Sequence, residues 1–144
     1  MILSCSLPAS DGVDYDLKTG KYVLYLYPKD MTSGCTLESQ TFRDHQQSFK
    51  DLGFQILGLS KDDLKSHAKF IEKESLNFPL LSDESTEFIQ KLEAWKEKSM
   101  YGKKYFGIER STFVIIDGKI KQAWRKVKVP GHVEEVLEVC KKLA

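Results

Sequence analysis

The sequence predicts an α/β protein with a central mixed sheet, and three observations carry this prediction. Residues 21–27, KYVLYLY, form a nearly continuous apolar run that suits a strand covered on both faces. Apolar residues at helical spacing follow in residues 36–52, and a second strand is expected at residues 54–60. Residues 110–116 and 119–124 flank an Asp-Gly dipeptide, which indicates an antiparallel hairpin.

The first half of the chain is therefore expected to form a β-α-β unit. Pro28 ends the first strand because proline cannot donate a ladder hydrogen bond. Gly53 stands where a glycine would stop the helix. A crossover of this length implies two parallel neighbouring strands. The inward face of the helix is expected to comprise Leu37, Thr41, Phe42, His45, Phe49 and Leu52.

The middle of the chain predicts shorter elements. Residues 62–74 read as a second helix with Leu64, Ala68 and Ile71 inward. A short strand is expected at residues 78–81 and a short helix at residues 86–92. Residues 93–107 mix charge, glycine and aromatics without a clean period, so we expect a surface excursion there.

The last helix follows Pro130 and Gly131 and presents one apolar face. Its expected inward residues are Val133, Val136, Leu137, Cys140 and Ala144. The order β-α-β followed by β-β-α is that of a thioredoxin-like architecture, a mixed sheet flanked by helices on both faces. A length of 144 residues fits one domain, which we expect to span residues 1–144.

Composition excludes several classes of function. Hydrophobic residues make up 41% and charged residues 30%, which is typical of soluble globular proteins. The net charge of +1 and the scattered lysines argue against a nucleic-acid partner. The first ten residues, MILSCSLPAS, do not resemble a secretory signal, and no later stretch is long and apolar enough for a membrane span. We therefore expect a cytoplasmic protein with no membrane partner.

The three cysteines, Cys5, Cys35 and Cys140, are odd in number and widely spaced. The sequence has no CxxC motif and no Cys/His cluster of the zinc type. Free thiols are the expected state in a reducing compartment. We expect neither a metal site nor an organic cofactor.

Cys35 has the most informative setting, because it stands where the first strand gives way to a helix. A thiol at a helix N-terminus lies beside N–H groups without helical partners, which favours a thiolate. Lowering an ordinary thiol pKa by two units corresponds to about 2.7 kcal/mol. A helix terminus supplies at most about 2 kcal/mol, so a cation or direct hydrogen bonds must contribute.

Four residues are candidates for that support. Arg110 begins a predicted strand and is the best candidate for the cation, which Glu38, one turn into the helix, could orient. Thr32 offers a hydroxyl within reach of Cys35, and Pro28 can shield the thiol from water. Taken alone, Thr32 could be merely a turn or capping residue, and Arg110 would more often be a solvated charge at a strand end.

These residues carry a resemblance to a known family. The string PKDMTSGC fits the peroxiredoxin pattern PxxxTxxC, and YPKDMTSGCTLE resembles the peroxiredoxin Q subfamily, also called the bacterioferritin comigratory protein subfamily. Residues 57–70, 77–83 and 101–120 resemble further stretches of that subfamily in the same order. The resemblance covers the chain from about residue 21 to its C-terminus.

The resemblance implies a thioredoxin-like fold and a thiol-dependent reduction of hydrogen peroxide and organic hydroperoxides. By motif, Cys35 is the peroxidatic nucleophile, which becomes a sulfenic acid. Thr32 and Arg110 would hold the two peroxide oxygens, and Pro28 would exclude water. Glu38 lies at a position where the family usually has an acidic residue, and its carboxyl group would support Arg110. The electron donor would be of thioredoxin, glutaredoxin or glutathione type.

The chain departs from the subfamily at the resolving cysteine. Many members have it five residues after the peroxidatic cysteine, where this chain has Gln40, and residues 62–74 contain no alternative. We favour a one-cysteine cycle, in which an external thiol reduces Cys35 directly; resolution by Cys5 or Cys140 is the other route. Ser33 replaces the usual proline of the motif, which is expected to alter loop stiffness.

Other interpretations compete with an enzyme. A redox-sensing or holdase-like interaction protein could use the same fold, and a disulfide oxidoreductase is disfavoured by the missing CxxC. Exposed aromatics at Tyr101, Tyr105 and Phe106 could rim a substrate opening or contact a partner. We expect a monomer or weak homodimer. Among the histidines, His45 is expected to be packed or half-buried, while His67 and His132 are expected at the surface.

Overall fold

The structure, a computed structural model, describes residue 3 and residues 5–144. Its strands are β1 (Leu7–Pro8), β2 (Asp14–Tyr15), β3 (Lys21–Leu26), β4 (Gln55–Ser60), β5 (Leu80–Ser82), β6 (Trp95–Met100), β7 (Lys103–Ile108), β8 (Ser111–Ile116) and β9 (Lys119–Trp124). Its helices are α1 (Ser33–Asp51), α2 (Leu64–Glu74), α3 (Glu87–Lys91) and α4 (His132–Leu143).

A five-stranded mixed sheet forms the centre of the fold, in the order β5-β4-β3-β8-β9. Strands β3, β4 and β5 are parallel, whereas β8 runs antiparallel to both β3 and β9. Leu24 of β3 lies between Leu57 of β4 and Phe113 of β8, and all three are fully buried. The sequence prediction of a mixed sheet with residues 21–27 at its centre is confirmed.

Helices cover both faces of this sheet, as predicted. Because side chains alternate along a strand, Val23 and Tyr25 of β3 face one layer, while Leu24 and Leu26 face the other. The first layer contains the buried residues of α1, α2 and α4, and the second contains α3 and the N-terminal segment. No helix in the described part of the chain has the length and apolar composition needed to cross a membrane.

Two predicted glycine positions are confirmed. Asp117 and Gly118 both have positive φ, 49° and 80°, as the tight turn between β8 and β9 requires. Gly53 has a φ of +84° directly after the C-cap of α1, and its N–H donates to the carbonyl of Lys50 at 2.9 Å.

The predicted inward faces of three helices are partly wrong; Ala144, expected inward on the last helix, is exposed and forms its C-cap. Leu37 is 51% exposed, and Leu64 and Ala68 also face solvent. The buried residues of α2 are His67 and Phe70 instead. Hydropathy alone placed His67 outside, but a histidine is buried readily when its ring nitrogens have hydrogen-bond partners.

The predicted surface excursion at residues 93–107 contains an antiparallel ribbon, β6 and β7. Its tight turn is formed by Tyr101 and Gly102, both with positive φ. Tyrosine is uncommon in that conformation, and most ribbon residues are exposed, so neither a turn signal nor an alternating pattern marked these strands. Tyr101 at the tip is 97% exposed and Phe106 is 58% exposed.

Candidate active site

Cys35 is the third residue of α1, at the helix terminus that faces the loop after β3. The first helical hydrogen bond runs from the Thr36 N–H to the Thr32 carbonyl at 2.8 Å. The N–H groups of Ser33, Gly34 and Cys35 therefore precede the ladder and have no carbonyl partner within the helix. The N-cap residue, Thr32, makes no side-chain capping bond. The expectation that a helix begins beside Cys35 is met, and its start at Ser33 lies earlier than predicted.

Arg110 reaches this terminus from the neighbouring strand. It directly precedes β8, whose first residue, Ser111, pairs with Leu26 at the end of β3. One guanidinium nitrogen, Nη2, donates to the Sγ of Cys35 at 3.3 Å. The other, Nη1, donates to the Oε1 of Glu38 at 2.6 Å. The structure thus brings together the thiol, the cation and the carboxyl group that the sequence singled out.

The site is nearly closed to solvent, and its electrostatics follow from that. Cys35 is 1% exposed and Glu38 is fully buried. Burial raises the pKa of Glu38 to about 7, although Arg110 opposes the shift. Burial alone would lower the pKa of Arg110, but the charges of Glu38 and Cys35 outweigh it and raise that pKa. Arg110 therefore stays a cation, and its guanidinium lies between the Cys35 sulfur and the Glu38 carboxyl group.

Thr32 and Pro28 lie on the loop that leads to Cys35. The Thr32 hydroxyl donates to the carbonyl of Lys29 at 2.9 Å, so in this structure it is turned to the backbone and not to the sulfur. Pro28 is half-buried and directly follows Tyr27. A Cβ atom at Gly34 would lie 3.4 Å from Arg110 Nη2, so glycine leaves room for the guanidinium. The roles of Thr32 and Pro28 stay predictions.

A buried polar network that the sequence did not reveal anchors this loop. Asp30 accepts from the Tyr27 hydroxyl at 2.6 Å and from the Ser66 hydroxyl at 2.8 Å. Its Oδ2 also lies 2.8 Å from the Nδ1 of His67, whose Nε2 lies 2.9 Å from the Leu81 carbonyl. The expectation of a surface position for His67 is wrong, because both ring nitrogens find acceptors inside the protein.

His132 is the second histidine wrongly expected at the surface. It is 5% exposed, and its Nε2 lies 2.7 Å from the Thr112 hydroxyl. Its ring meets Phe42 and Trp124 edge to face. Burial, with help from Arg110, lowers the pKa of His132. His45 is half-buried as expected, with Nδ1 2.9 Å from the Thr41 carbonyl.

The other two cysteines lie apart from Cys35. Cys5 packs against the opposite layer and donates to the Tyr15 carbonyl at 3.3 Å. Cys140 is fully buried on the apolar face of α4, as predicted. Burial raises the pKa of Cys5 to about 11, helped by Asp16, and that of Cys140 to about 12. Both thiols are therefore protonated at neutral pH.

Helix contacts indicate where Cys140 lies relative to the site. Phe42 of α1 meets His132 at the start of α4, and His45, further along α1, lies 3.9 Å from Glu134. The two helices thus run in the same sense, and Cys140 follows further along α4, away from the end that carries Cys35.

Gln40, at the position of the usual resolving cysteine, has a structural contact. Its amide donates to Glu74 of α2 at 2.7 Å. Arg43, one turn further along α1, donates to the carbonyl of the same glutamate at 2.7 Å. The position therefore joins α1 to α2. Among the described residues, no group of three or more His, Cys, Asp or Glu side chains is arranged to hold a metal ion.

Comparisons with known proteins identify the family of this chain. The model of the AhpC/TSA family matches residues 4–123. Peroxiredoxin Bcp of Bacillus subtilis is 49% identical over 127 residues, which cover 87% of this chain and 81% of the relative. Peroxiredoxin Bcp of Escherichia coli K12 is 40% identical over 143 residues, which cover 96% of this chain and 92% of the relative.

Solved structures give the same result. A structure of Xanthomonas campestris Peroxiredoxin Q superimposes with a TM-score of 0.90 at 42% identity, covering 96% of this chain and 90% of that one. A second Xanthomonas campestris structure, described as a bacterioferritin comigratory protein with alkyl peroxide reduction activity, superimposes with a TM-score of 0.89 at the same identity and coverage. The chain therefore belongs to the AhpC/TSA family, among its Bcp/PrxQ peroxiredoxins, and is a thiol-dependent peroxidase.

Proposed function

We propose that Cys35 is the peroxidatic nucleophile, which reduces hydrogen peroxide and organic hydroperoxides. The 3.3 Å hydrogen bond from Arg110 to its sulfur carries this proposal, since it places a cation at the thiol. The thiolate attacks the terminal oxygen; an S–O bond forms as the O–O bond breaks. The sulfur keeps the OH unit as a sulfenic acid, and the released hydroxide or alkoxide takes a proton from water.

The residues around Cys35 have separate roles in this reaction. Arg110 and Thr32 hold the two peroxide oxygens, which for Thr32 requires its hydroxyl to turn away from the Lys29 carbonyl. Pro28 excludes water from the sulfur. Glu38 fixes the guanidinium through the 2.6 Å contact, so that its charge is already in place when the O–O bond breaks.

The sulfenic acid is then reduced in a one-cysteine cycle. An external thiol attacks the Cys35 sulfur and releases water, and a second thiol cleaves the mixed disulfide, so the donor supplies both electrons. Cys5 and Cys140 lie apart from Cys35, and both are protonated at neutral pH. Both facts support this route, because the thiolate is the attacking form of a cysteine. The donor is of thioredoxin, glutaredoxin or glutathione type, in the cytoplasm. The working unit is a single domain of residues 1–144, as a monomer or weak homodimer.

Replacement of the nucleophile tests the proposal. Cys35→Ser is expected to reduce peroxide consumption under excess dithiothreitol to the uncatalysed rate, because a serine hydroxyl is not ionised at neutral pH. Cys5→Ser is the matched control and is expected to keep the wild-type rate. Consumption by Cys35→Ser at the wild-type rate would contradict the proposal. A wild-type protein that is oxidised once and does not turn over would favour the redox-sensing or holdase-like alternative.

A further inference from the structure

A cavity of about 320 Å³ lies where the loop after β9 meets the start of α4. Three basic residues line it: Arg125, Lys126 and Lys128. Glu135 is the one acidic residue among the described residues of its wall, so the formal charge around the cavity is positive. Trp124 adds an aromatic surface. A concave site of this composition suits an anion that is attached to a small organic group.

Two of the three basic side chains are available to a ligand. Arg125 is held elsewhere, because its Nη1 donates to the carbonyl of Glu93 at 3.2 Å and its guanidinium carbon lies 5.3 Å from the centre of the Phe113 ring. Within the described part of the chain, neither Lys126 nor Lys128 makes an ion pair. Their charges therefore face the cavity without a carboxylate partner.

The buried ring of His132 presents a polar atom to the same cavity. Its Nε2 lies 2.7 Å from the Thr112 hydroxyl, whereas its Nδ1 has no hydrogen-bond partner among the described residues. The sealed side-chain atoms without a partner in that part of the chain are Glu38 Oε2 and Ser82 Oγ, so Nδ1 is open to the cavity that the ring lines. When Thr112 donates to Nε2, the ring carries its proton on Nδ1, which is then a donor for a ligand.

The start of α4 adds further donors at this place. Its N-cap is Gly131, which has no side chain to cap the helix, and the first helical bond runs from the Glu135 N–H to the Gly131 carbonyl at 3.3 Å. The N–H groups of Val133 and Glu134 therefore have no carbonyl partner within the helix. The positive end of the helix dipole favours an anion there.

The wall of the cavity contacts the segment that carries the active-site arginine. The N–H of Val127 donates to the carbonyl of Arg110 at 3.0 Å. Thr112, the partner of His132, stands two residues after Arg110. The guanidinium of Arg110 in turn donates to the sulfur of Cys35. A ligand in the cavity would thus be bound next to the segment that delivers Arg110 to the reacting atom.

We propose that this cavity binds the carboxylate of a small organic substrate of the peroxidase. Lys126, Lys128 and the Nδ1 of His132 hold the carboxylate, and Trp124 covers the organic part. The inference rests on the function proposed for Cys35 and names a class of molecule for it. Two substrates present this group: a thiol of the glutathione class, and an organic hydroperoxide that carries a carboxylate.

The test is a titration of the reduced, ¹⁵N-labelled protein, followed by the amide NMR signals of Val127 and Gly131. S-methylglutathione stands for the thiol and hexanoate for the hydroperoxide, and neither can react with Cys35. At least one of them is expected to shift both signals in a saturable manner. A response to S-methylglutathione alone identifies the thiol as the substrate, and a response to hexanoate alone identifies the hydroperoxide.

Variants assign the binding to the cavity. The double variant Lys126→Gln/Lys128→Gln is expected to weaken binding about three- to tenfold, because it removes both ammonium groups. Lys119→Gln/Lys121→Gln, which removes the same charge from exposed positions at the start of β9, is expected to keep the wild-type Kd. Glu135→Gln is expected to tighten binding, since it removes the one carboxylate of the wall.

Three results overturn the inference. They are no shift with either ligand, equal weakening in the two double-lysine variants, and binding of the neutral hexanamide as tight as that of hexanoate. Each of these leaves turnover of hydrogen peroxide with dithiothreitol dependent on Cys35, because neither reagent carries a carboxylate. Turnover by Cys35→Ser, in contrast, would overturn the proposed function itself.

Discussion

Arg110 serves two partners at once through the fork of its guanidinium. One nitrogen donates to Cys35 at 3.3 Å and the other to Glu38 at 2.6 Å. A lysine at this position would offer a single charged nitrogen and could not hold both partners in this geometry. The second oxygen of Glu38, Oε2, is buried without a hydrogen-bond partner. An unsatisfied buried oxygen disfavours the ionised carboxyl group, in line with its raised pKa.

The buried carboxyl group of Glu38 predicts a pH-dependent stability. Its pKa is raised by burial from 4.5 to about 7, so the folded state binds more protons than the unfolded state between these values. The contribution of Glu38 to stability is therefore fully present below pH 4.5 and is lost as pH rises to about 7. The loss is about 3 kcal/mol. Glu38→Gln lacks this titration, so wild type should lose stability relative to Glu38→Gln over this range.

Urea unfolding of both proteins at several pH values measures this difference. Parallel stability curves would show that Glu38 does not titrate there. A wild type that gains on the variant as pH rises would show that attraction by Arg110 outweighs the cost of burying the charge.

Hydrogen bonds to both its side chains and its backbone hold the loop between β3 and α1 in place. Asp30 contacts His67 at 2.8 Å, and its own N–H donates to the Oδ2 of Asp62 at 2.8 Å. Asp62 in turn accepts from Ser60 at the end of β4. Both ring nitrogens of His67 lie within hydrogen-bond distance of oxygen atoms, so the orientation of the ring is fixed. The loop that carries Pro28 and Thr32 is thereby tied to α2 and to the sheet.

Removal of Asp30 is predicted to destabilise the fold. Asp30→Ala leaves His67 and the Tyr27 hydroxyl buried without this acceptor, which costs about 1 to 3 kcal/mol for each unsatisfied group. The matched control is Asp44→Ala, at an exposed aspartate paired with Arg43, which should change stability by less than about 1 kcal/mol. Chemical denaturation measures both. Equal stability of the two variants would show that the network does not anchor the loop.

Two features of the whole molecule keep the other thiols away from Cys35: the central sheet in the case of Cys5, and the course of α4 in the case of Cys140. Cys5 lies with the second layer, whereas Cys35 and Cys140 lie with the first, on helices that run in the same sense. A disulfide requires Cα atoms within about 7 Å. The fold places neither Cys5 nor Cys140 beside Cys35, which favours reduction by an external thiol.

Intact mass after one equivalent of peroxide tests this arrangement. The protein is expected to gain one oxygen, because Cys35 becomes a sulfenic acid with no thiol in reach. Cys5→Ser and Cys140→Ser are each expected to retain turnover with a small-thiol or glutaredoxin-type donor. Stoichiometric loss of two hydrogens, with a Cys35 disulfide to either residue, would contradict the one-cysteine cycle.

The sequence by itself determined the central strand, the helix beginning beside Cys35 and the β8–β9 turn. Each of these depends on an apolar run, a period or a turn residue that is read within a few neighbouring positions. The expected strand start and helix turn made Arg110 and Glu38 candidate partners of Cys35, and the resemblance of the motif to a known family supported that choice. Periodicity and composition could not show the contact itself, since Arg110 lies 75 residues from Cys35.

Only the tertiary structure decided which polar groups are buried and what they contact. His67 and Asp30 are 37 residues apart, and each looks like a surface residue on its own helix or loop. The β6–β7 ribbon carries charge and aromatics on both faces, so no period revealed it. Burial and charge at a residue depend on distant parts of the chain folded against it, and a local pattern contains no information on that contact.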